Sequence, residues 1–250
     1  MSVRENSLVE RLRAAGCVYA EDEAALLEEA ATGDALEALA LRRIHGEPLE
    51  VVLGWAEFRG LRIFVDAGVF VPRKRTEVLV ELGLPLARAG TRILDLCCGT
   101  GAVGAAMLAE RPGVTVWGAE LDPAAAACAR RNLPAVFEGD LFAPLPHGVR
   151  FDLLLVNAPY VPSEAIALMP PEARLYEPRI ALDGGDDGLD LHRRVASEAR
   201  DWLTTGGTVI IETSEDQAER TAAAFAAQGF STRIEHSEEL DGTAVVATAS

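Results

Sequence analysis

Lysine is almost missing from this 250-residue chain: Lys74 is the single lysine among 23 basic residues, and the rest are arginines. That pattern reads as base-composition bias and carries no function. Positive charge as a whole is also scarce. With 39 acidic residues the formal net charge is −16, and the one tight basic run is Arg73-Lys74-Arg75. A protein that grips duplex nucleic acid presents a basic face, because phosphate contacts dominate that affinity. Nucleic acid is therefore not the expected partner. Cysteine and histidine are sparse, four of each. Cys17, Cys97, Cys98 and Cys128 form no C-x-x-C pair, so structural zinc is not expected. The adjacent Cys97 and Cys98 read as small hydrophobes in a reduced compartment. No apolar run approaches the roughly 18 residues needed to cross a bilayer. The first twenty residues are charged and lack the apolar stretch of a signal peptide. A soluble cytoplasmic protein is the expectation, with no membrane partner.

What the chain does have is hydrophobic residues, at 49% enough for a full core. Residues 6 to 46 place Leu and Ala at three- and four-residue spacing, with Gly16, Gly33 and Gly46 as punctuation. Residues 1–46 are thus expected to form a small helical lobe. Residues 47–72 read as a linking β-hairpin built from Val51–Leu53, Glu57–Phe58 and Leu61–Val65, with Gly60 near its turn. Pro72 then halts the chain. Thr76 is a candidate cap for a helix whose later turns Pro85 should disturb.

From Thr91, strand-like and helix-like segments alternate. "TRILDLC", "VTVWGAE", "AVFEGD", "FDLLLVN" and "GGTVIIET" read as strands. The segments between most of them read as helices, one opened by Asp122 with Pro123 at its first position. "STRIEHS" and "GTAVVATA" close the chain as two strands without an intervening helix, free to pair antiparallel. Residues 73–250 are therefore expected to be an α/β domain with a mostly parallel sheet, covered on both faces.

A candidate cofactor site lies at "DLCCGTGAVG", Asp95 to Gly104. In such a sheet ligands bind beyond the carboxyl ends of the strands. Gly99, Gly101 and Gly104 fit the G-x-G-x-x-G spacing of a dinucleotide turn. Glu120, ending the next strand, could accept from ribose hydroxyls of either NAD or S-adenosylmethionine. Asp95 separates the two. A carboxylate just before the glycine turn opposes a pyrophosphate but suits the ammonium and sulfonium of S-adenosylmethionine. Asp140 could accept from an adenine amino group, and Leu141 could cover the adenine face.

The stretch "FDLLLVNAPYVP" ends the fourth strand on Asn157-Ala158-Pro159-Tyr160. The Asn157 side-chain oxygen and the Ala158 carbonyl, held by Pro159, offer two acceptors, and the Tyr160 ring offers a flat face. That set suits a planar NH₂ group, an amide or an exocyclic amine, held in near-attack geometry. Such positioning removes roughly 7–11 kcal/mol of barrier in favourable systems. A plain Asn-x-Pro turn has the same local sequence. His45, His147, His192 and His236 are scattered and read as non-catalytic. Arg73 and Glu77 are candidates for the cofactor's methionine end or for a structural ion pair. The acidic "GGDDG" segment reads as a surface turn rather than a metal site.

Taken together, "VPRKRTEVLVE", "DLCCGTGAVG", "AELDPAAAACARRN", "NAPYVP" and "YEPRIALDGGDDGLDLHRRV" resemble the protein-(glutamine-N5) methyltransferases that act on peptide chain release factors (HemK/PrmC type). The resemblance covers nearly the whole chain. It implies a Rossmann-like, class I S-adenosylmethionine-dependent methyltransferase fold with a seven-stranded sheet whose last strand is antiparallel. It also implies cofactor contacts at Asp95, Gly99, Thr100, Gly101, Glu120 and Asp140, with Asn157 and Tyr160 at the substrate amide. The helical lobe would grip the release factor. Ala158 stands where the family has a proline, though its carbonyl survives. An adenine amino-methyltransferase and a non-catalytic methyltransferase-like binding module are the alternatives.

Overall fold

The computed structural model describes residues 7–249. The first six residues of the expected lobe, and Ser250, lie outside them. Three helices, α1 (Leu8–Ala14), α2 (Ala20–Ala30) and α3 (Gly33–Ile44), open the described chain. They pack around Leu12, Ala20, Ala24 and Leu27. Ser7 and Glu10 form a reciprocal capping box at the start of α1.

The segment 47–72 departs from a plain hairpin. Val51–Leu53, expected as a strand, belong to a short helix α4 (Leu49–Leu53). Gly54, with φ of 79°, ends it in the left-handed conformation that glycine adopts without penalty. The hairpin proper is β1 (Trp55–Phe58) and β2 (Leu61–Phe64), paired antiparallel. Helix α5 (Glu77–Gly83) stops short of Pro85, because a helix rarely continues through the residue before proline.

The main sheet comprises β3 (Arg92–Leu96), β4 (Thr115–Glu120), β5 (Val136–Glu138), β6 (Phe151–Val156), β7 (Leu203–Thr213), β8 (Phe230–Ser237) and β9 (Gly242–Ala249). Helices α6 (Ala102–Glu110), α7 (Pro123–Ala129), α8 (Pro171–Tyr176), α9 (Asp190–Glu198) and α10 (Ala218–Ala227) fall between them. The strand order is β5-β4-β3-β6-β7-β9-β8. The last strand, β9, runs antiparallel to both neighbours and is inserted between β7 and β8. Asp122 caps α7 by accepting from Ala124 N–H at 2.8 Å, with Pro123 in the first turn. No helix among the described residues is long and apolar enough to cross a membrane.

Strand alternation divides the core into two layers. Leu94, Leu96, Leu154, Val156, Val209 and Ile211 face α9 and α10, whose Val195, Ala196 and Phe225 join the same cluster. Ile93, Leu153, Leu155 and Ile210 face the other way, against Leu79 of α5 and Val103 and Met107 of α6. The chain runs outward from β3 to β5, then returns to the other side of β3 as β6. That reversal creates the crevice where ligands bind in open α/β sheets.

The helical lobe is tied to the segment following β6 by one cation. Arg43 donates to Glu23 at 2.6 and 3.2 Å and to Glu172 of α8 at 2.6 Å. Both Arg43 and Glu23 are buried. Removing one partner of a buried pair leaves the other charge uncompensated, which costs about 3–5 kcal/mol. Arg43→Ala should destabilise the protein by that amount in urea unfolding, whereas replacing the exposed Arg13 should change stability by about 0.5 kcal/mol or less.

Candidate active site

A cleft of about 240 Å³ opens at the carboxyl ends of the central strands. Asp95, Gly99, Thr100, Glu120, Asp140, Leu141, Asn157, Ala158, Pro159 and Tyr160 all line it. Gly101 does not. Its φ is 80°, and a Cβ there would stand 2.8 Å from Leu133, so its role is to let α6 begin tightly against the sheet. Gly104 is equally constrained: a Cβ would meet Val116 at 2.9 Å and Asp95 Oδ2 at 3.1 Å.

Asp95 is 2% exposed and accepts one hydrogen bond, from Gly104 N–H at 2.8 Å. Burial pushes its carboxyl up to about 8, with the nearby Glu120 adding to the rise and the Gly104 N–H opposing it. Glu120 holds the glycine turn, accepting from Gly99 N–H at 2.8 Å and Asp122 N–H at 2.9 Å. Burial raises its pKa too, against those same N–H groups. A buried carboxyl and a half-buried one thus lie close together.

The backbone is strained beside them. Cys97 and Leu141, neither of them glycine, have φ of 58° and 46°, and such conformations cluster at ligand sites. Burial raises the Cys97 and Cys98 thiols well above their ordinary range, so they act as apolar wall.

Asp140 is only partly available as an adenine acceptor. It lines the cleft, but Arg194 of α9 grips both its oxygens, at 3.1 and 2.9 Å. Arg73 also lines the cleft and pairs with the buried Glu177 at 2.5 Å. Glu77 is turned away from the cleft towards Arg59, at 3.7 Å. Glu77 is therefore an ion-pair partner away from the cleft, whereas Arg73 is both an ion-pair partner and part of the cleft wall.

The rim that follows β6 gathers groups from three elements. Asn157 Nδ2 donates to Thr76 Oγ1 at 3.3 Å. Thr76 makes no cap on α5; its side chain faces the cleft instead. Tyr160 O–H donates to Glu212 Oε1 at 2.9 Å, and its ring meets His192 edge-on at 6.3 Å between centroids. Burial lowers His192 to about 4, so the imidazole is neutral. The "GGDDG" segment packs against this rim: the Gln217 amide donates to the carbonyls of Tyr160 and Asp187, and a Cβ on Gly188 would collide with Tyr160 O at 2.3 Å. No metal-holding cluster occurs among the described residues.

Sequence reasoning missed Thr76 as a wall residue, Glu212, and the Met169, Ile180 and Leu182 side of the cleft. Glu212 was within reach. Val156 pairs with Ile211 in the parallel register of β6 and β7, so Asn157 and Glu212 are the next residues along two neighbouring strands.

A family model described as "Methyltransferase small domain" matches residues 60–170. Among solved structures, a methyltransferase from Pyrococcus furiosus superposes with a TM-score of 0.58 at 18% identity, covering 76% of this chain and 89% of that one. Fold and cleft define a Rossmann-like, class I methyltransferase, which uses S-adenosylmethionine. The cleft suits that cofactor, since it presents the buried Asp95 and the half-buried Glu120 to a cationic ligand. Two curated relatives narrow the assignment. The release factor glutamine methyltransferase of Geobacter sulfurreducens is 41% identical over 202 residues, 78% of this chain and 71% of that protein. The enzyme of the same name from Gloeobacter violaceus is 39% identical over 193 residues, 73% and 67% of the respective chains. The chain belongs to the release factor glutamine methyltransferase family.

A carboxyl whose pKa is raised on folding is protonated in the fold where the unfolded chain has already lost its proton. The resulting penalty grows as pH climbs from the unfolded value near 3.8 and levels off above about 8. The stability difference between the wild type and Asp95→Asn, both without cofactor, should therefore shift in favour of the variant across that window. Urea unfolding at a series of pH values checks it.

Proposed function

We propose that this protein transfers a methyl group to the side-chain amide nitrogen of a glutamine in a peptide chain release factor, within its Gly-Gly-Gln loop. In this reading Asp95, Gly99, Thr100, Glu120, Asp140 and Leu141 hold S-adenosylmethionine, while Asn157, Ala158, Pro159 and Tyr160 receive the glutamine amide. When bound, the cofactor supplies an electrophilic methyl on a sulfonium.

The observation that carries the reading is the polarity of Asn157. One hydrogen of its Nδ2 goes to Thr76, an orientation that offers Oδ1 to a substrate N–H. With the Ala158 carbonyl, it would pin both hydrogens of an NH₂ group in the amide plane and direct the nitrogen along the line of attack. The same two oxygens favour the positive charge that grows on nitrogen. Tyr160 closes one side, its hydroxyl fixed by Glu212. Burial and the Glu212 charge raise its pKa, so it stays a neutral donor.

A peptide substrate agrees with the rim. Ile180, which lines the cleft, is 52% exposed, and Leu168, next to the lining residue Met169, is 86% exposed. The net charge of −16 favours a protein partner over nucleic acid. Residues 1–46 serve as the docking lobe, 47–72 as its linker and 73–250 as the methyltransferase domain, all working in the cytoplasm.

Labelled methyl transfer to a release factor, with the modified residue located by mass spectrometry, tests the proposal. Asn157→Ala should lower kcat by about 10²–10³-fold while calorimetry shows cofactor affinity within about twofold of wild type. Methylation elsewhere than glutamine, or an Asn157→Ala enzyme as fast as wild type, would overturn it.

A further inference from the structure

An asparagine amide is nearly symmetric in shape, so packing alone does not decide which edge faces a substrate; hydrogen-bond partners do. At Asn157 the deciding partner is Thr76, 3.3 Å from Nδ2. A hydroxyl can either donate or accept there. If it donated its one proton to Oδ1, the amide would turn and show Nδ2 to the substrate. Two donors would then face each other and nothing would hold the NH₂ group.

Glu212 removes that ambiguity. It is 2% exposed, and strand alternation sends it to the same face as Ile210 and the α5 helix. Oε1 accepts from Tyr160 O–H. Oε2 is buried without a hydrogen bond of ordinary geometry. Burial pushes the Glu212 carboxyl up, and the neighbouring Thr76 and Tyr160 hydroxyls, with the Arg75 charge, oppose that rise. An acceptor lacking a donor thus sits beside a hydroxyl whose proton must go somewhere. Once that proton goes to Glu212, Thr76 has only lone pairs left for Asn157, which must then donate with Nδ2 and present Oδ1.

We propose that Glu212 and Thr76 are positioning residues for the reaction, a two-step relay that fixes the acceptor edge of Asn157 towards the substrate while the same carboxylate anchors Tyr160. The relay rests on the role given to Asn157 above. A carboxylate buried away from any salt bridge is costly, and a glutamine or leucine would fill the same space at lower cost if structure were its only task.

The test uses the full chain, labelled S-adenosylmethionine and a release factor bearing the Gly-Gly-Gln loop. Wild type, Asn157→Ala, Thr76→Val, Thr76→Ser, Glu212→Gln and the double variant Asn157→Ala/Thr76→Val are compared for kcat, KM, cofactor affinity and Tm. Thr76→Val and Glu212→Gln should each lower kcat by about 10–100-fold, the scale of a small misplacement in a near-attack geometry, with cofactor affinity and Tm near wild type. Thr76→Ser should recover most of the rate, because the hydroxyl returns. Thr76→Val should add nothing in the Asn157→Ala background, since its target is gone. An impaired Asn157→Ala beside a fully active Thr76→Val or Glu212→Gln would overturn the relay alone. The relay also fails if Thr76→Val adds its full loss to Asn157→Ala. An Asn157→Ala enzyme at wild-type rate would overturn the reading beneath it. Should Glu212→Gln lower Tm sharply, the two Thr76 variants and the double variant decide the outcome.

Discussion

The whole site depends on one electrostatic constraint: a carboxyl buried at the end of β3 with no cation of its own. Asp95 has a single backbone N–H for company, and the adjacent Glu120 adds repulsion rather than relief. Desolvation this deep makes the charged form expensive. A bound cation changes that balance, because it supplies the missing counter-charge inside the low-dielectric cleft. S-adenosylmethionine carries its positive groups into such an environment. A pyrophosphate would meet the opposite field. The glycine turn alone could serve either ligand, so its carboxyl neighbours set the choice.

Geometry turns that constraint into a reaction centre. β3, β6 and β7 lie in parallel register, with Asp95 opposite Leu155 and Leu155 opposite Ile210. The α5 and α6 side of the sheet therefore receives Asp95 from one strand and Glu212 from another, with Asn157 just past the end of the strand between them. Thr76, just before α5, reaches the same spot. Asp95, Asn157 and Glu212 thereby stand at neighbouring strand ends, and the short distance between strands sets their separation. The segment after β6 completes the enclosure. It is braced from outside by Arg43 on Glu172, Tyr176 on the His45 carbonyl and Arg73 on Glu177, so the helical lobe is tied to the segment that walls the cleft.

Much of the sheet was legible because hydrophobic alternation and turn chemistry are local. β3 to β9 were readable as strands, and Asp122-Pro123 announced a helix start. The insertion of β9 between β7 and β8 was not legible, since pairing order depends on contacts distant in sequence. Val51–Leu53 misled because β-branched residues also pack in a short helix when Pro48 and Gly54 bound it. The candidate site was legible where a residue's chemistry was unusual for its position: Asp95 before a glycine turn, Asn157 ending an apolar strand. It was illegible where a residue type has an ordinary alternative. Thr76 looks like a cap and Asp140 like a free acceptor until Arg194, 54 residues on, takes both its oxygens. Residues 163–182 show no clear periodicity, so their share of the cleft wall emerged only in three dimensions.

The most direct test of the central claim is the number of protons released when S-adenosylmethionine binds at pH 7. It is measured by calorimetry in buffers of different ionisation enthalpy. A carboxyl held near pH 8 in the empty cleft is largely protonated at pH 7 and must ionise beside an incoming cation. A net release that disappears in Asp95→Asn is the result the account predicts. Binding with no proton released, or with protons taken up, would contradict it.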